Sequence, residues 1–481
     1  MGLTAVIGYR GIDPLTQLPL FFAKGASMLA TNFRTVRFNH ACLALLLFAT
    51  GIPTAHSQQT REAKVLADKK KFESLGLWYY NNLDAAFAEA KKTDKPLLVI
   101  LRCIPCEECV KLDDDLVEAD PTLQSLLKSF VRCRVVGTNG LDLSLFEFDT
   151  DQSFAVFIFN PDRTLYGRYG TRSSQKEWQD DVSVEGLGKA LQGALELHRN
   201  YPTIKASLAG KQARKPKFST PESIPSLATK FTSKLDYEGN VVKSCIHCHQ
   251  IGDAMRELYR AEDSKGSIPE SVLFPYPHPK SIGLILDPKE RATVVGVTKA
   301  TPAQTAGIQP GDQILALAGQ PILSFADVQW VLEGVPSTGG SVAATIKRGS
   351  ETLTLNIPLN AGWRTKGDIS WRVSSWQLRR GGLGGMFMKP LTDEERKNLG
   401  IAPGNMALIV NHVGQFSPHD RAKRAGVEKG DVLIEYDGRK DLTSESDLLA
   451  YAINQVPVGR VVPMKFLRDK KEKQVEVATA P

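Results

Sequence analysis

The chain has 481 residues, more than one hydrophobic core organises, so several domains are expected. Its 42% apolar and 23% charged residues are those of a globular protein and exclude a disordered or fibrous chain. The formal net charge is +7, of which Arg10, Lys24, Arg34 and Arg37 against Asp13 supply +3 in the first 57 residues; the remaining +4 is too mild to point to nucleic acid or an anionic membrane surface.

In chain order, basic residues lead into a twelve-residue run from Ala41 to Ile52, closed by Ala55-His56-Ser57. This predicts a secretory signal peptide over 1–57, with Met28 as an alternative start of more ordinary length. The run is well short of the ~20 apolar residues that span a bilayer, so no transmembrane span is expected after cleavage and the location is periplasmic or secreted. Six cysteines then remain, Cys103, Cys106, Cys109, Cys133, Cys245 and Cys248, clustered in two short motifs rather than spread as staples.

Leu83, Ala86, Phe87 and Ala90 recur at helical spacing, and "PLLVIL" reads as a buried central strand ending at "RCIPCEEC". "SFVRCRVV", "FAVFIFN" and "LYGRYG" are further strands. Strand, cysteines and helix in this order form a thioredoxin-like arrangement over 76–200. Residues 201–240, rich in Lys, Ser, Pro and Thr without a period, predict a linker.

The segment 241–274 opens with Cys245-Ile-His-Cys248-His249, the C-x-x-C-H pattern that attaches haem c. Two thiols add to the haem vinyl groups, and His249 presents an axial nitrogen to iron. The sixth ligand would come from His278, His198, His412, His419 or Met386. Zinc held by Cys245, Cys248, His247 or His249 with one more ligand, or plain thiols with no cofactor, are the alternatives.

An internal repeat follows. "TPAQTAGIQPGDQILALAGQPI" and "DRAKRAGVEKGDVLIEYDGRKD" share A-G-[IV]-x-x-G-D-x-[IL], each followed by a helical stretch and strands. Both resemble PDZ domains, placed at 277–361 and 380–479, and the second is similar to those appended to bacterial envelope serine proteases. The resemblance implies partly open β-barrels with helices that bind peptide or protein partners by strand addition. Ile282, Gly283 and Leu284, and Leu383, Gly384 and Gly385, would form the carboxylate-binding loops. Trp363, Trp371 and Trp376 between the copies are expected to pack.

Together these features resemble the bacterial thioredoxin-like/PDZ (seleno)protein family: a multidomain α+β chain with a thioredoxin-like α/β domain followed by two PDZ domains. The pair Cys106/Cys109 falls eleven residues after Lys95, the frame of thioredoxin-like reductase domains, which makes Cys106 the attacking thiol, Cys109 its resolving partner and Cys103 either an extra resolving thiol or a ligand completing a soft-metal site. A helix start would favour the thiolate. Against turnover, Ser153 or Phe154 stands where such enzymes place a cis-proline, and Glu107 and Glu108 would raise the thiol pKa. Cys133 is expected to be a buried small hydrophobe. The chain has no G-x-S-x-G and no H-E-x-x-H, so a protease is disfavoured. The expected function is an extracytoplasmic redox protein, with a non-enzymatic PDZ scaffold as the alternative.

Overall fold

The computed structural model describes residues 60–103, 113–114, 120–152, 154–173, 180–262 and 267–480. The signal segment and the pair Cys106 and Cys109 lie outside the described residues.

Thr60 starts α1 (Arg61–Leu75), its side chain accepting from the Ala63 amide, and Gly76 ends it at φ +62. Only Val65 and Phe72 of this Lys-rich helix are buried. After β1 (Tyr79–Tyr80), α2 (Leu83–Thr93) leads to β2 (Leu97–Arg102), buried at every position. α3 (Pro121–Leu127), β3 (Val131–Val136), β4 (Phe154–Phe159), β5 (Leu165–Tyr169) and α4 (Val184–Arg199) complete the unit.

The sheet order is β1-β3-β2-β4-β5, with β1, β3 and β2 parallel and β4 and β5 antiparallel. Strand alternation divides its side chains between two cores. Leu98, Ile100, Val156 and Ile158 face α4, whereas Val99, Leu101, Phe157 and Phe159 face α2. α1, left outside the predicted 76–200 boundary, belongs to this unit. It lays Phe72 under the Arg134 guanidinium, 3.9 Å from the ring centroid, and supplies Asp68 to the buried Arg102.

The predicted linker at 201–240 is instead a packed strap. Leu208 is buried against the α4 core, and Ile224 and Leu227 pack with Ile246 and Ile251. Lys211 is fully buried with its ammonium 2.7 Å from Asp327. Contacts made by single, unevenly spaced residues leave no period to detect. The strap leads into α5 (Cys248–Glu262).

The middle unit holds β6 (Leu284–Leu286) paired with β7 (Val294–Val297), and a sheet ordered β11-β10-β8-β9. The latter contains β8 (Gln313–Leu317), β9 (Gln320–Pro321), β10 (Gly340–Arg348) and β11 (Glu351–Leu359), with α6 (Phe325–Glu333) against them. In the C-terminal unit, α7 (Ser375–Gly382) precedes the sheet β12-β13-β14-β15-β16. Its strands are β12 (Met386–Pro390), β13 (Leu408–Val413), β14 (Val432–Tyr436), β15 (Val461–Arg468) and β16 (Lys471–Ala478), with α8 (Glu445–Asn454) packed on β12.

The repeat has a physical basis. Gly311 and Gly430 take φ +92 and +97, each directly before an aspartate. Asp312 accepts from the Gln309 amide and from Arg348 Nη2 at 2.9 and 2.7 Å; Asp431 accepts from the Glu428 amide and Arg468 Nη2 at the same distances. One carboxylate thus closes the turn and anchors the hairpin behind it in both units.

Buried polar groups join the units. Arg372 Nη1 lies 2.6 Å from Asp149 and 3.3 Å from Asp151, and the Ser374 amide donates to Asp151 at 2.9 Å. Burial raises the Asp151 pKa, but Arg372 and Arg256 outweigh it and hold the carboxyl below its ordinary value. Trp363 and Trp371 pack as expected, with Trp363 Nε1 donating to the Pro336 carbonyl at 2.9 Å. Among the described residues no helix is long and apolar enough to cross a membrane.

Candidate functional site

The end of β2 delivers Cys103 to the edge of the α/β unit, and the strap returns the C-x-x-C-H segment to the same place. The loop after β3 receives it. Thr138 donates its amide and hydroxyl to the Ile246 carbonyl at 3.1 and 2.8 Å. Asn139 accepts from the Ile246 amide at 2.8 Å and donates to the Ser244 carbonyl at 2.9 Å. Gly137, at φ +79, leaves room for the cysteine: a Cβ there would stand 2.9 Å from Cys245 Sγ.

This grip places Cys245 beside Cys103. His247 Nδ1 lies 2.8 Å from Cys103 Sγ. Both thiols are buried, at 6% exposure for Cys103 and 4% for Cys245. The Cys103 pKa is raised, first by the Cys245 thiol and then by burial, while His247 pulls the other way. Cys248 is half-buried at the first residue of α5 and packs beside the core that contains Cys133. Cys133 itself is fully buried, and burial pushes its thiol up to about 12, as expected of an inert core cysteine.

The residues do not fit a c-type haem as placed. Vinyl addition needs both thiols open to one haem face, but Cys245 is enclosed by Cys103 and Gly137. His249 turns toward Asp253 at 3.4 Å, and it is His247 that meets Cys103. The expected sixth ligands are engaged elsewhere: His198 with Tyr166 at 2.8 Å, His278 with Asp181 at 3.1 Å, His412 on the Trp376 ring, and Met386 within the C-terminal core. His419 sits by the C-terminal unit's glycine loop, its backbone carbonyl close against Gly385. Zinc finds no better set, because among the described residues no three His, Cys, Asp or Glu side chains are grouped to hold a metal ion.

Of the predicted site residues, Cys103 and Cys245 are brought together, with Cys248 three residues further on at the start of α5. Phe154 is buried opposite Arg102 in the β2–β4 pairing. The residues that sequence reasoning missed are Gly137, Thr138 and Asn139. Their signal was the turn-forming run Gly137-Thr138-Asn139-Gly140 directly after a strand.

The predicted peptide loops are packed. Ile282, Leu284 and Leu383 are fully buried, and Gly283 lies against Thr301. In the second loop the amides of Leu383, Gly385 and Met386 donate to the Arg379 and Leu383 carbonyls, which leaves Gly384 without an acceptor among the described residues. Gly385 takes φ +89, and the His419 carbonyl occupies the space of its absent Cβ.

Comparison with known proteins resolves two of the units. A thioredoxin-like family model matches residues 78–161, and a PDZ domain model matches 260–359. The chain joins a thioredoxin-like domain to a PDZ domain. The PDZ match begins inside α5, earlier than the predicted 277. Curated relatives include a probable periplasmic serine endoprotease DegP-like of Pseudomonas putida (strain GB-1), 29% identical over 38% of this chain and 36% of the relative. Periplasmic serine endoprotease DegP of Salmonella typhimurium is 27% identical over 39% of this chain and 31% of its own. The chain therefore spans about a third of the length of these relatives. Among solved structures, HtrA-type protease AlgW with tripeptide matches 35% of this chain and 53% of its own at 14% identity and a TM-score of 0.20. At that score the likeness carries no argument.

Proposed function

We propose that the chain is an extracytoplasmic thiol–disulfide protein whose PDZ units hold polypeptide partners. The meeting of two cysteine motifs distant in sequence, Cys103 with Cys245 and His247, supports the reading. Cys248, at the helix start, is the entry thiol, since helix N-termini favour a thiolate. Its thiolate attacks one sulfur of a client disulfide, and the other client sulfur leaves as a thiolate. Cys245 then displaces the client from the mixed disulfide, forming a Cys245–Cys248 bond and passing two electrons to the client. Cys103, giving its proton to His247, attacks Cys245 to form Cys103–Cys245 and frees Cys248. Run in reverse, the same steps oxidise a client dithiol. The Lys95 frame keeps Cys106 and Cys109 as the next pair in line.

The periplasm suits this chemistry, and the names of the relatives point there. A second PDZ domain over 380–479 is supported by the shared turn at Asp312 and Asp431. The protease activity in the relatives' names is not carried over, because the chain has neither hydrolase motif quoted above. Partner binding at the loops is tested with peptide arrays, where equal capture of free-acid and amidated peptides would remove the carboxylate role of Gly283 and Gly384.

The redox reading is tested by equilibrating the protein in glutathione buffers, trapping with acid, alkylating and mapping by mass spectrometry. A Cys103–Cys245 disulfide that forms and breaks reversibly is expected, and Cys245→Ala should abolish exchange with a model disulfide. Thiols that stay unlinked at every ratio, or haem bound covalently at Cys245 and Cys248, would overturn it. A linkage that no physiological thiol reduces would instead establish the scaffold alternative.

A further inference from the structure

A cavity of about 280 Å³ lies where the thioredoxin-like domain, the strap and α5 converge. Phe146, Phe148, Ile251 and Met255 give it an apolar floor, and the exposed Lys215 and Lys217 line it where it meets solvent. Its acidic lining residues are already satisfied: Glu147 by Arg214, Glu333 by Arg364, and Asp151 by Arg372 and Ser374. Arg256 is the buried cation among the described lining residues. It is 4% exposed, reaches Asp151 only at 4.0 Å, and its Nε and Nη1 have no hydrogen-bond partner among the described residues. A buried charged donor without an acceptor is costly, so a guanidinium held this way needs an acceptor supplied from outside. Arg256 also borders a second cavity, whose lining carries Asp253, Glu257, Arg260 and Arg380 and lacks the aromatic floor.

We propose that the first cavity binds an amphipathic carboxylate, a medium-chain or aromatic acid, with its carboxylate on Arg256 and its apolar body against Phe146, Phe148 and Met255. Size and lining fit a small-ligand site, which is mostly apolar with few placed polar groups. A guanidinium donates charge-assisted N–H bonds to carboxylate oxygens, and Nε and Nη1, on different edges of the group, each offer one such donor. The site is separate from the cysteines and does not depend on the redox reading.

The test is calorimetric titration of the purified protein with sodium decanoate and with 1-decanol. One decanoate per chain is expected, with decanol at least tenfold weaker. Arg256→Met should erase that difference, and Met255→Trp, which fills the floor, should weaken decanoate at least tenfold. Should Arg256→Met fail to fold, the comparison of decanoate with decanol and the Met255→Trp variant still decide. Equal affinity for acid and alcohol, no binding by folded protein, or binding unchanged in either variant would overturn the proposal.

Discussion

Gly137→Ala is the sharpest probe of how the C-x-x-C-H segment is seated. The residue has φ +79, where a side chain costs about 1–2 kcal/mol. The added Cβ would also stand 2.9 Å from Cys245 Sγ, and relieving that contact costs about 1 kcal/mol, the low end for overpacking, because a thiol can shift. The variant should therefore lose about 2–3 kcal/mol of stability. A double-mutant cycle separates the parts. In a Cys245→Ala background the contact disappears and only the backbone cost remains, so the two changes should couple by about 1 kcal/mol. Urea unfolding of the four proteins under reducing conditions measures this. Equal costs of Gly137→Ala in both backgrounds would refute the packing of Cys245 on the β3 loop.

Arg372→Met should cost about 3–5 kcal/mol, because it leaves Asp149 and Asp151 buried without their shared cation; a loss below about 1 kcal/mol in denaturant unfolding would contradict that pairing. Burial raises the Asp181 pKa, but His278, Ser173 and Lys280 lower it to about 2, against an ordinary value of 3.8. A depressed carboxyl contributes stability that is complete above the unfolded value and lost as pH falls from about 4 to 2, so Asp181→Asn should flatten that limb of the stability profile. Lys211→Met should release the strap, seen as faster limited proteolysis between residues 205 and 230, because it leaves the Asp327 carboxylate buried without its cation.

The apolar strands of the thioredoxin-like domain were legible because burial on both faces leaves a continuous apolar run such as "PLLVIL" in the local sequence. The PDZ turn was legible because Gly311-Asp312 and Gly430-Asp431 solve one backbone problem twice. α1 was missed because just two of its side chains, Val65 and Phe72, are buried, too few to mark a face. The strap read as a linker because Leu208, Lys211, Ile224 and Leu227 each find a separate long-range partner. The C-x-x-C-H pattern suggested haem because it is a local signature. What decides the surroundings of Cys245 is Cys103, and adjacency in space across so much sequence leaves no local trace. Arg348 and Arg468 were likewise invisible until the hairpins returned them to their aspartates.

The packed strap has a consequence for partner choice. A flexible tether lets a captured polypeptide present any of its cysteines to a reactive centre, at an effective concentration set by tether length. Here α5 leads from the cysteine cluster into the PDZ match, and the strap before it pins both sides: Leu208 packs on the α4 core, Lys211 pairs with Asp327, and Ile224 and Leu227 pack with Ile246 and Ile251. Under the proposed function the molecule would then work as a ruler: a partner gripped at the PDZ domain would offer only a sulfur at one set reach from its anchoring end.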